Sequence, residues 1–381
     1  MINGHVSDDQ IHSHLSTIYS GSRPLSGEII MNASCPGRCL HCIYPPDYDL
    51  YNKEIDLSSW TEAFTSMFEL LGIKRFILDG RRVDSKLLKA ATFIHDQLPG
   101  AKVGLIGDGV MISDYIDQVL DTPLDWIDVS VDGLEQAHDL QRNSPGAFKQ
   151  TVDVLHRLKS SSCFSKISIL SCLTTININS IPEMIRQFNL WGFKNFFLTP
   201  VTLAKGFRPN PGLRPSAQEL VGLLDTVMDD FKSLNDSWVG VDIFDAEYAS
   251  HIKDNRPGIF QAMGCTREHL EYTLFSGDNE FHLSYAPVSL TPVRECIVNV
   301  DGRIIPPTVM ARGRIPKDLA LGSVLNLAGQ IQSSLSPPIQ NKAFEFFVQE
   351  FIRERGALAK LPMSDRQDDT SLPTSTSPHD Q

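Results

Sequence analysis

The chain has 381 residues, 41% hydrophobic and 21% charged, a composition that suits a sizeable folded core and excludes a mostly disordered protein. No apolar run approaches the ~18 residues of a membrane span, and the start of the chain lacks the apolar segment of a secretory signal. Because 34 basic residues face 46 acidic ones, for a net charge of −12, nucleic acid and anionic membrane surfaces are poor default partners.

The chain begins with a polar arm, residues 1–24, and then alternates between strand and helix patterns. The six strand patterns are Gly27–Asn32, Arg75–Leu78, Lys102–Ile106, Trp126–Val131, Ile167–Thr174 and Asn195–Leu198. The helix patterns between them are Ser58–Leu71, Ser85–Leu98, Asp114–Leu120, Ala147–Lys159 and Ile181–Leu190. Since strand–helix–strand crossovers are right-handed, this alternation predicts an α/β fold with an open parallel sheet or a barrel. Ligands of such folds bind at the carboxyl ends of the strands.

Beyond the sixth strand the alternation continues briefly and then weakens. Gln218–Leu234 has a helix pattern and Val239–Phe244 a strand pattern. Residues 295–305 place an Asp-Gly turn between two apolar runs, which is typical of a hairpin. An amphipathic pattern over Pro338–Arg355 predicts a last helix, and the Ser-, Thr-, Asp- and Pro-rich residues 363–381 predict a disordered tail.

The seven cysteines are unevenly distributed, because three of them fall within Cys35-Pro-Gly-Arg-Cys39-Leu-His-Cys42. An odd count without a secretory signal favours a reducing cytoplasm over a disulfide framework. The cluster of three follows the first strand, so it lies in a loop at that strand's carboxyl end. Three thiolates fall one short of a four-ligand zinc site, but they suit a four-iron, four-sulfur cluster with one iron open. A zinc knuckle remains the alternative.

The CxxxCxxC spacing after a first strand is the signature of the radical S-adenosylmethionine (SAM) superfamily, which residues 27–245 resemble. The resemblance implies a partial (β/α)6 TIM-type barrel over 25–245, with Cys35, Cys39 and Cys42 ligating one [4Fe-4S] cluster. It also implies that SAM binds the open iron and is cleaved reductively to a 5′-deoxyadenosyl radical. In this superfamily an electron donor such as flavodoxin or ferredoxin supplies the electron.

The resemblance extends to segments at later strand ends. Leu78-Asp-Gly80-Arg is a degraded counterpart of the superfamily's Gly-Gly-Glu segment, and it lacks the acidic residue after the glycine. Asp108 lies in a counterpart of a Thr-Asn-Gly segment. Val129-Ser-Val-Asp-Gly, with the following His-Asp and Arg, resembles peptide- and metabolite-modifying members, so Ser130 would contact SAM and Arg142 would pair its carboxylate. Asn179 stands where those members carry an Asn after the fifth strand.

The region 246–362 resembles a SPASM or twitch extension, a small α+β unit that usually holds auxiliary iron–sulfur clusters. Pro307 stands where that extension carries a cysteine, and only Cys265 and Cys296 remain. Two thiolates cannot supply a four-thiolate cluster site. We therefore expect an extension without an auxiliary cluster, whose hairpin caps the barrel mouth; an unrelated hairpin is the alternative.

The expected activity is hydrogen abstraction from a small-molecule metabolite, leading to oxidation, epimerisation or rearrangement. One alternative is modification of a residue in a ribosomal peptide, although only 34 residues precede Cys35, too few for a leader-binding domain. Another alternative, of a different class, is a non-catalytic iron–sulfur or zinc protein. One thiol, with Cys265 favoured over Cys296, could return a hydrogen atom to a substrate radical.

Overall fold

The structure is a computed structural model that describes residues 26–44, 53–161, 164, 166–201, 211–256, 259, 270–285, 295–305 and 322–326. Several expectations lie outside these residues: the arm at 1–24, the helix at 338–355, the tail at 363–381, and the positions of Cys265 and Pro307. The division at residue 245 stays a prediction.

The described strands all belong to one sheet. They are β1 (Ser26–Ile30), β2 (Arg75–Gly80), β3 (Lys102–Asp108), β4 (Trp126–Ser130), β5 (Lys166–Leu173), β6 (Asn195–Pro200), β7 (Trp238–Ile243), β8 (Leu270–Ser276), β9 (Asn279–Tyr285), β10 (Glu295–Val298), β11 (Arg303–Ile304) and β12 (Gly322–Ser323). The helices are α1 (Leu57–Ser66), α2 (Ser85–Gln97), α3 (Gly109–Ser113), α4 (Ile116–Asp121), α5 (Glu135–Arg142), α6 (Ala147–Ser161), α7 (Ile181–Leu190), α8 (Ala217–Asp230) and α9 (Ala246–Asn255).

The strand order across the sheet is β12-β11-β10-β1-β2-β3-β4-β5-β6-β7-β9-β8. Strands β1 to β7 follow the chain and pair in parallel with their neighbours. This confirms the predicted α/β fold with a parallel sheet. The sheet ends in β12 on one side and β8 on the other, so it is open.

The strands bury one face of the sheet more deeply than the other. In β4, Ile127 and Val129 are fully buried and belong to the main apolar core, which also contains residues of the helices. Asp128 and Ser130, which alternate with them, are half-exposed. Because successive side chains of a strand point to opposite faces, the helices cover one face and the more polar residues line the other.

Two tryptophans occupy space that glycines leave free near the amino ends of the strands. A Cβ added to Gly104 would lie 1.9 Å from Cε2 of Trp126, and one added to Gly240 would lie 2.0 Å from Cη2 of Trp238. The guanidinium of Arg75 lies 4.3 Å from the Trp126 ring centroid, and Nζ of Lys166 lies 5.2 Å from that of Trp238. We call these two stacks the floor.

The helices differ from the sequence expectations at several places. Helices α3 and α9 were not predicted, and the helix expected from Asp114 begins at Ile116. The predicted helix at 58–71 divides into α1 and a π-helical turn over Met67–Leu71. Helix α5, which the sequence analysis treated only as a motif, ends with Arg142 because Asn143 takes a left-handed conformation with φ of 51°. Arg142 is therefore the last residue of α5.

The predicted hairpin near the end of the chain is present. Strands β10 and β11 are antiparallel, and Gly302 in the turn has a φ of 78°. However, β10 pairs in parallel with β1, Gly27 opposite Cys296, so the hairpin extends the sheet. The expectation that it caps the barrel mouth is therefore wrong. A second hairpin, β8–β9, was missed, and it extends the other side of the sheet through β7.

Candidate active site at the carboxyl ends of the strands

The predicted SAM-contact residues of the strands lie side by side at the carboxyl edge of the sheet. Gly80 at the end of β2 is in register with Gly107, and Asp108 at the end of β3 is in register with Ser130 at the end of β4. Gly80 also meets its neighbour closely, because an added Cβ would lie 2.7 Å from the carbonyl oxygen of Ile106. The structure thus brings Gly80, Asp108 and Ser130 together; their contact with SAM stays a prediction.

The cysteine loop follows β1 and rests on helix α5. The N–H of Leu40 donates to the carbonyl oxygen of Gln141 over 2.9 Å. A Cβ added to Gly37 would lie 3.3 Å from Sγ of Cys35 and 3.6 Å from Sγ of Cys39. The two sulfurs therefore lie around a residue that has no side chain, and this leaves space between them.

All three thiols of the loop are half-buried, and burial favours their protonated form. Burial raises the pKa of Cys35, Cys39 and Cys42, while nearby guanidinium groups of Arg81 and Arg142 act in the opposite direction. A metal centre binds thiolates, so loading it would release these protons.

Arg142 holds the centre of a buried charge network. Its Nη1 lies 3.1 Å from Oδ2 of Asp108, and its Nε forms an ion pair of 2.6 Å with Oδ2 of Asp132. Nη1 also lies 3.8 Å from Sγ of Cys39. Asp132 is completely buried; burial alone would raise its pKa, but the charge of Arg142 and the hydrogen bond from the backbone N–H of Cys172 lower it. Arg142 thus connects the strand ends to the cysteine loop.

Two histidines flank the Asp132 carboxylate and are held neutral. Nε2 of His41 lies 3.9 Å from Oδ2 of Asp132, and burial lowers the pKa of His41 to about 4. Nδ1 of His138 accepts the backbone N–H of Asp132 over 3.0 Å, which requires an unprotonated Nδ1. Burial lowers the pKa of His138 as well.

Two side-chain amides, one from α5 and one from the turn after β5, bind the strand residue that donates to Asp132. The amides of Gln141 and Asn177 both donate to the carbonyl oxygen of Cys172, and the N–H of Cys172 donates to Oδ1 of Asp132 over 2.9 Å. The sequence analysis selected Asn179 here, but Asn177 is the fully buried member of the turn. Asn179 instead lines a groove of about 370 Å³ between α7 and α8. The Asn-x-Asn spacing could have suggested either residue.

The end of β2 carries a second cationic group near the cysteine loop. The Arg81 guanidinium lies 4.0 Å from the centroid of the Tyr44 ring, and the Arg81 residue is 8% exposed. The Tyr44 hydroxyl donates to Oδ2 of Asp79 over 3.1 Å. Burial raises the pKa of Asp79, while Arg81 and the Tyr44 hydrogen bond oppose that rise. Arg81 occupies the position at which the superfamily's Gly-Gly-Glu segment carries its acidic residue.

The donor set of the cysteine loop fits an iron–sulfur cluster better than a single metal ion. Within the part of the chain that the structure describes, no three His, Cys, Asp or Glu side chains converge on one metal position. Cluster thiolates bind different iron atoms, so they need not converge on one point. The Gly37 gap between Cys35 and Cys39, the absence of a fourth thiol in the loop, and the neighbouring cations all suit such a cluster.

Cys296, one of the two candidate hydrogen donors, lies away from this site. It is on β10, 3% exposed, and belongs to the main apolar core. Burial raises its pKa to about 12. These surroundings favour a structural thiol, whereas Cys265 lies outside the described residues.

Comparison with known proteins identifies the fold. No protein-family profile and no curated protein sequence matches the chain. The solved structure of anSMEcpe with bound AdoMet (SAM) is similar at a TM-score of 0.55 and 15% identity, covering 86% of this chain and 84% of that one. Streptococcus suis SuiB bound to precursor peptide SuiA is similar at 0.56 and 12% identity, covering 85% and 70%.

These structural neighbours are radical SAM enzymes with partial TIM barrels, so this chain has the radical SAM fold. The expected α/β fold of a partial TIM-type barrel is confirmed. A third structure, anSMEcpe with AdoMet and the Cp18Cys peptide, is similar at a TM-score of 0.55 and 13% identity, covering 86% and 84%. Across the residues that the structure describes, the helices are too short or too polar to cross a bilayer.

Proposed function

We propose that the protein is a radical SAM enzyme in which Cys35, Cys39 and Cys42 hold one [4Fe-4S] cluster and SAM binds beside it. The observation that carries the proposal is the position of the three-cysteine loop at the carboxyl end of β1. In this fold, solved neighbours carry bound AdoMet. When bound, the reduced cluster supplies an electron that cleaves SAM to a radical able to abstract hydrogen from an unactivated C–H bond.

The protein's own residues have binding and orienting roles in this proposal. Gly80, with its close backbone approach, and Ser130 and Asp108, at neighbouring strand ends, form the SAM-binding edge. Two carboxylates already pair with Arg142. A methionine carboxylate would therefore bind the Nη2 donors, which neither carboxylate occupies, or displace Asp108 from Nη1.

We propose a peptide as the substrate. The structures of similar fold include SuiB bound to precursor peptide SuiA and anSMEcpe with the Cp18Cys peptide. The small-molecule substrate favoured by the sequence analysis has less support, and the reaction outcome stays open. The proposed reductant is a flavodoxin or a ferredoxin, and cytoplasmic location stays a prediction.

The test of the cofactor assignment is anaerobic reconstitution followed by iron and sulfide counting. We expect about four of each per chain, and 5′-deoxyadenosine on addition of SAM and dithionite. Single replacement of Cys35, Cys39 or Cys42 by Ala should abolish both cluster loading and 5′-deoxyadenosine formation. Cys296→Ala is the matched control, because its thiol is buried elsewhere, and it should retain both. Turnover by any of the three loop variants would remove that cysteine from the ligand set.

The test of the substrate class uses extract of the cells that produce the protein. We expect such extract to stimulate 5′-deoxyadenosine formation by the reconstituted enzyme, and protease treatment of the extract to remove the stimulation. Stimulation that survives the protease and passes a small-pore filter would contradict a peptide and restore the small-molecule substrate. Extract without enzyme is the control.

A further inference from the structure

The end of β2 places a buried cation beside the cysteine loop. Strands β1 and β2 are in parallel register, with Ile30 opposite Asp79. The chain after Asp79 therefore runs beside the chain that leads to Cys35. The carbonyl oxygen of Arg82 confirms this course, since it accepts the side-chain amide of Asn32.

The far side of the loop holds the same cation in place. Tyr44 lies two residues after Cys42, and its ring stacks on the Arg81 guanidinium at 4.0 Å. The Tyr44 hydroxyl is fixed by Asp79, so the ring has a defined orientation. Arg81 is thus held between the start and the end of the cysteine loop, and its burial limits the screening of its charge by water.

Arg81 and Arg142 contact different parts of the loop. Arg142 lies at Cys39, with its Nη1 3.8 Å from Sγ, and it pairs with two carboxylates. Arg81 lies at Tyr44, two residues after Cys42, and is buried there.

We propose that Arg81 is a positioning residue that stabilises negative charge on the iron–sulfur cluster and thereby raises its reduction potential. The proposal rests on the proposed function, because it needs the cluster on the three cysteines. One-electron reduction, by dithionite or by an electrode, adds one negative charge to the cluster. A fixed cation in surroundings of low dielectric favours that reduced form.

The experiment is a redox titration of the reconstituted cluster, followed by electron paramagnetic resonance, without SAM or substrate. Arg81→Gln removes the charge, Arg81→Lys keeps it, and Arg75→Gln is the matched control. Arg75 is an exposed arginine at the opposite end of β2, where its guanidinium lies over the Trp126 ring. We expect Arg81→Gln to lower the reduced-to-oxidised ratio at a fixed potential about tenfold, equivalent to about 59 mV for one electron. Arg81→Lys and Arg75→Gln should remain near wild type.

Each outcome decides the proposal. A wild-type potential in Arg81→Gln overturns it, and an equal fall in Arg81→Gln and Arg81→Lys overturns it too, because shape and not charge would then be responsible. If Arg81→Gln cannot hold a cluster, loading of Arg81→Lys supports the role of the charge and failure of both variants contradicts it. A wild-type protein that holds no [4Fe-4S] cluster is a failure of the proposed function, which this titration separates from a failure of Arg81.

Discussion

The two ends of the parallel strands use charged side chains in opposite ways. At the amino ends, the floor cations Arg75 and Lys166 are exposed and lie over indole rings. At the carboxyl ends, Arg142 is 11% exposed and pairs with both Asp108 and the fully buried Asp132, which also lies 3.9 Å from His41. An exposed cation over an aromatic ring contributes about 0.5–1 kcal/mol, whereas breaking a buried pair costs about 3–5 kcal/mol.

The two ends differ in the free-energy cost of removing their charged groups from water, and this cost is larger at the carboxyl ends. Replacing a buried ion pair with well-packed apolar residues often leaves stability unchanged or raises it. Stability alone therefore does not explain why the carboxyl ends carry a charge network. The floor, in contrast, fills space between strands and needs no further explanation. Function is therefore expected at the carboxyl ends, where the three-cysteine loop also lies.

The largest effect is expected from Asp132→Ala at the carboxyl ends. The variant leaves Arg142 buried without its closer carboxylate, and should lose about 3–5 kcal/mol of unfolding free energy in urea. Asp229→Ala is the control, because Asp229 is 82% exposed and pairs with Lys232 on the surface. If both variants unfold at the same urea concentration, the network does not hold the site together.

A smaller effect is expected from Gly240→Ala in the floor. The added Cβ would overlap the Trp238 ring, and such overpacking costs about 1–3 kcal/mol. Gly222→Ala in α8 is a control of opposite sign, since that position is open and Ala favours a helix by up to about 1 kcal/mol. Thermal unfolding of both variants measures the contrast, and 5′-deoxyadenosine formation by folded Gly240→Ala should persist.

His138, at the carboxyl ends, should make the unfolding free energy depend on pH. Its pKa is lowered in the folded state, so the unfolded chain binds a proton first as pH falls below about 6.5. Stability should then fall by up to about 1.4 kcal/mol per pH unit for this group. His138→Asn should show a shallower slope between pH 7 and pH 5 in urea unfolding of the cluster-free protein. An unchanged slope would assign the pH dependence to other groups.

The smallest effect is expected from Lys166→Met in the floor. The variant keeps most of the side-chain stem and loses only the cation over Trp238, at a cost of about 0.5–1 kcal/mol. The SAM affinity of the reconstituted protein, measured by equilibrium dialysis, should be unchanged. A loss of SAM binding would contradict the assignment of function to the carboxyl ends alone.

Much of the fold could be predicted because the apolar runs and helix patterns are local. β4, α7 and β6 lie where periodicity placed them, within about two residues. The β8–β9 hairpin was missed although Glu271, Thr273 and His282 alternate with apolar residues, a period of two that indicates a strand with one polar face. The partner of β10 could not be predicted, since pairing with β1 joins distant parts of the chain.

The candidate site was predictable in some of its residues but not in its pairing. The spacing of Cys35, Cys39 and Cys42 sufficed to select the loop. That Arg142 is already paired with two carboxylates, and that Arg81 is stacked on Tyr44, depends on how α5 and β2 end against the loop. Such contacts have no local signal in the sequence. They are contacts between separate segments and follow only from packing.

The position of β1 between β2 and β10 has a consequence for biosynthesis. The residues of β10 leave the ribosome after about 265 more residues than those of β1, roughly a quarter of a minute to a minute at ~5–20 residues per second. During that time one edge of β1 lacks its final neighbour, and unpaired edges invite association with other chains. The cysteine loop begins directly after that strand, so we expect cluster insertion to follow completion of the chain and to require that its thiols stay reduced until then.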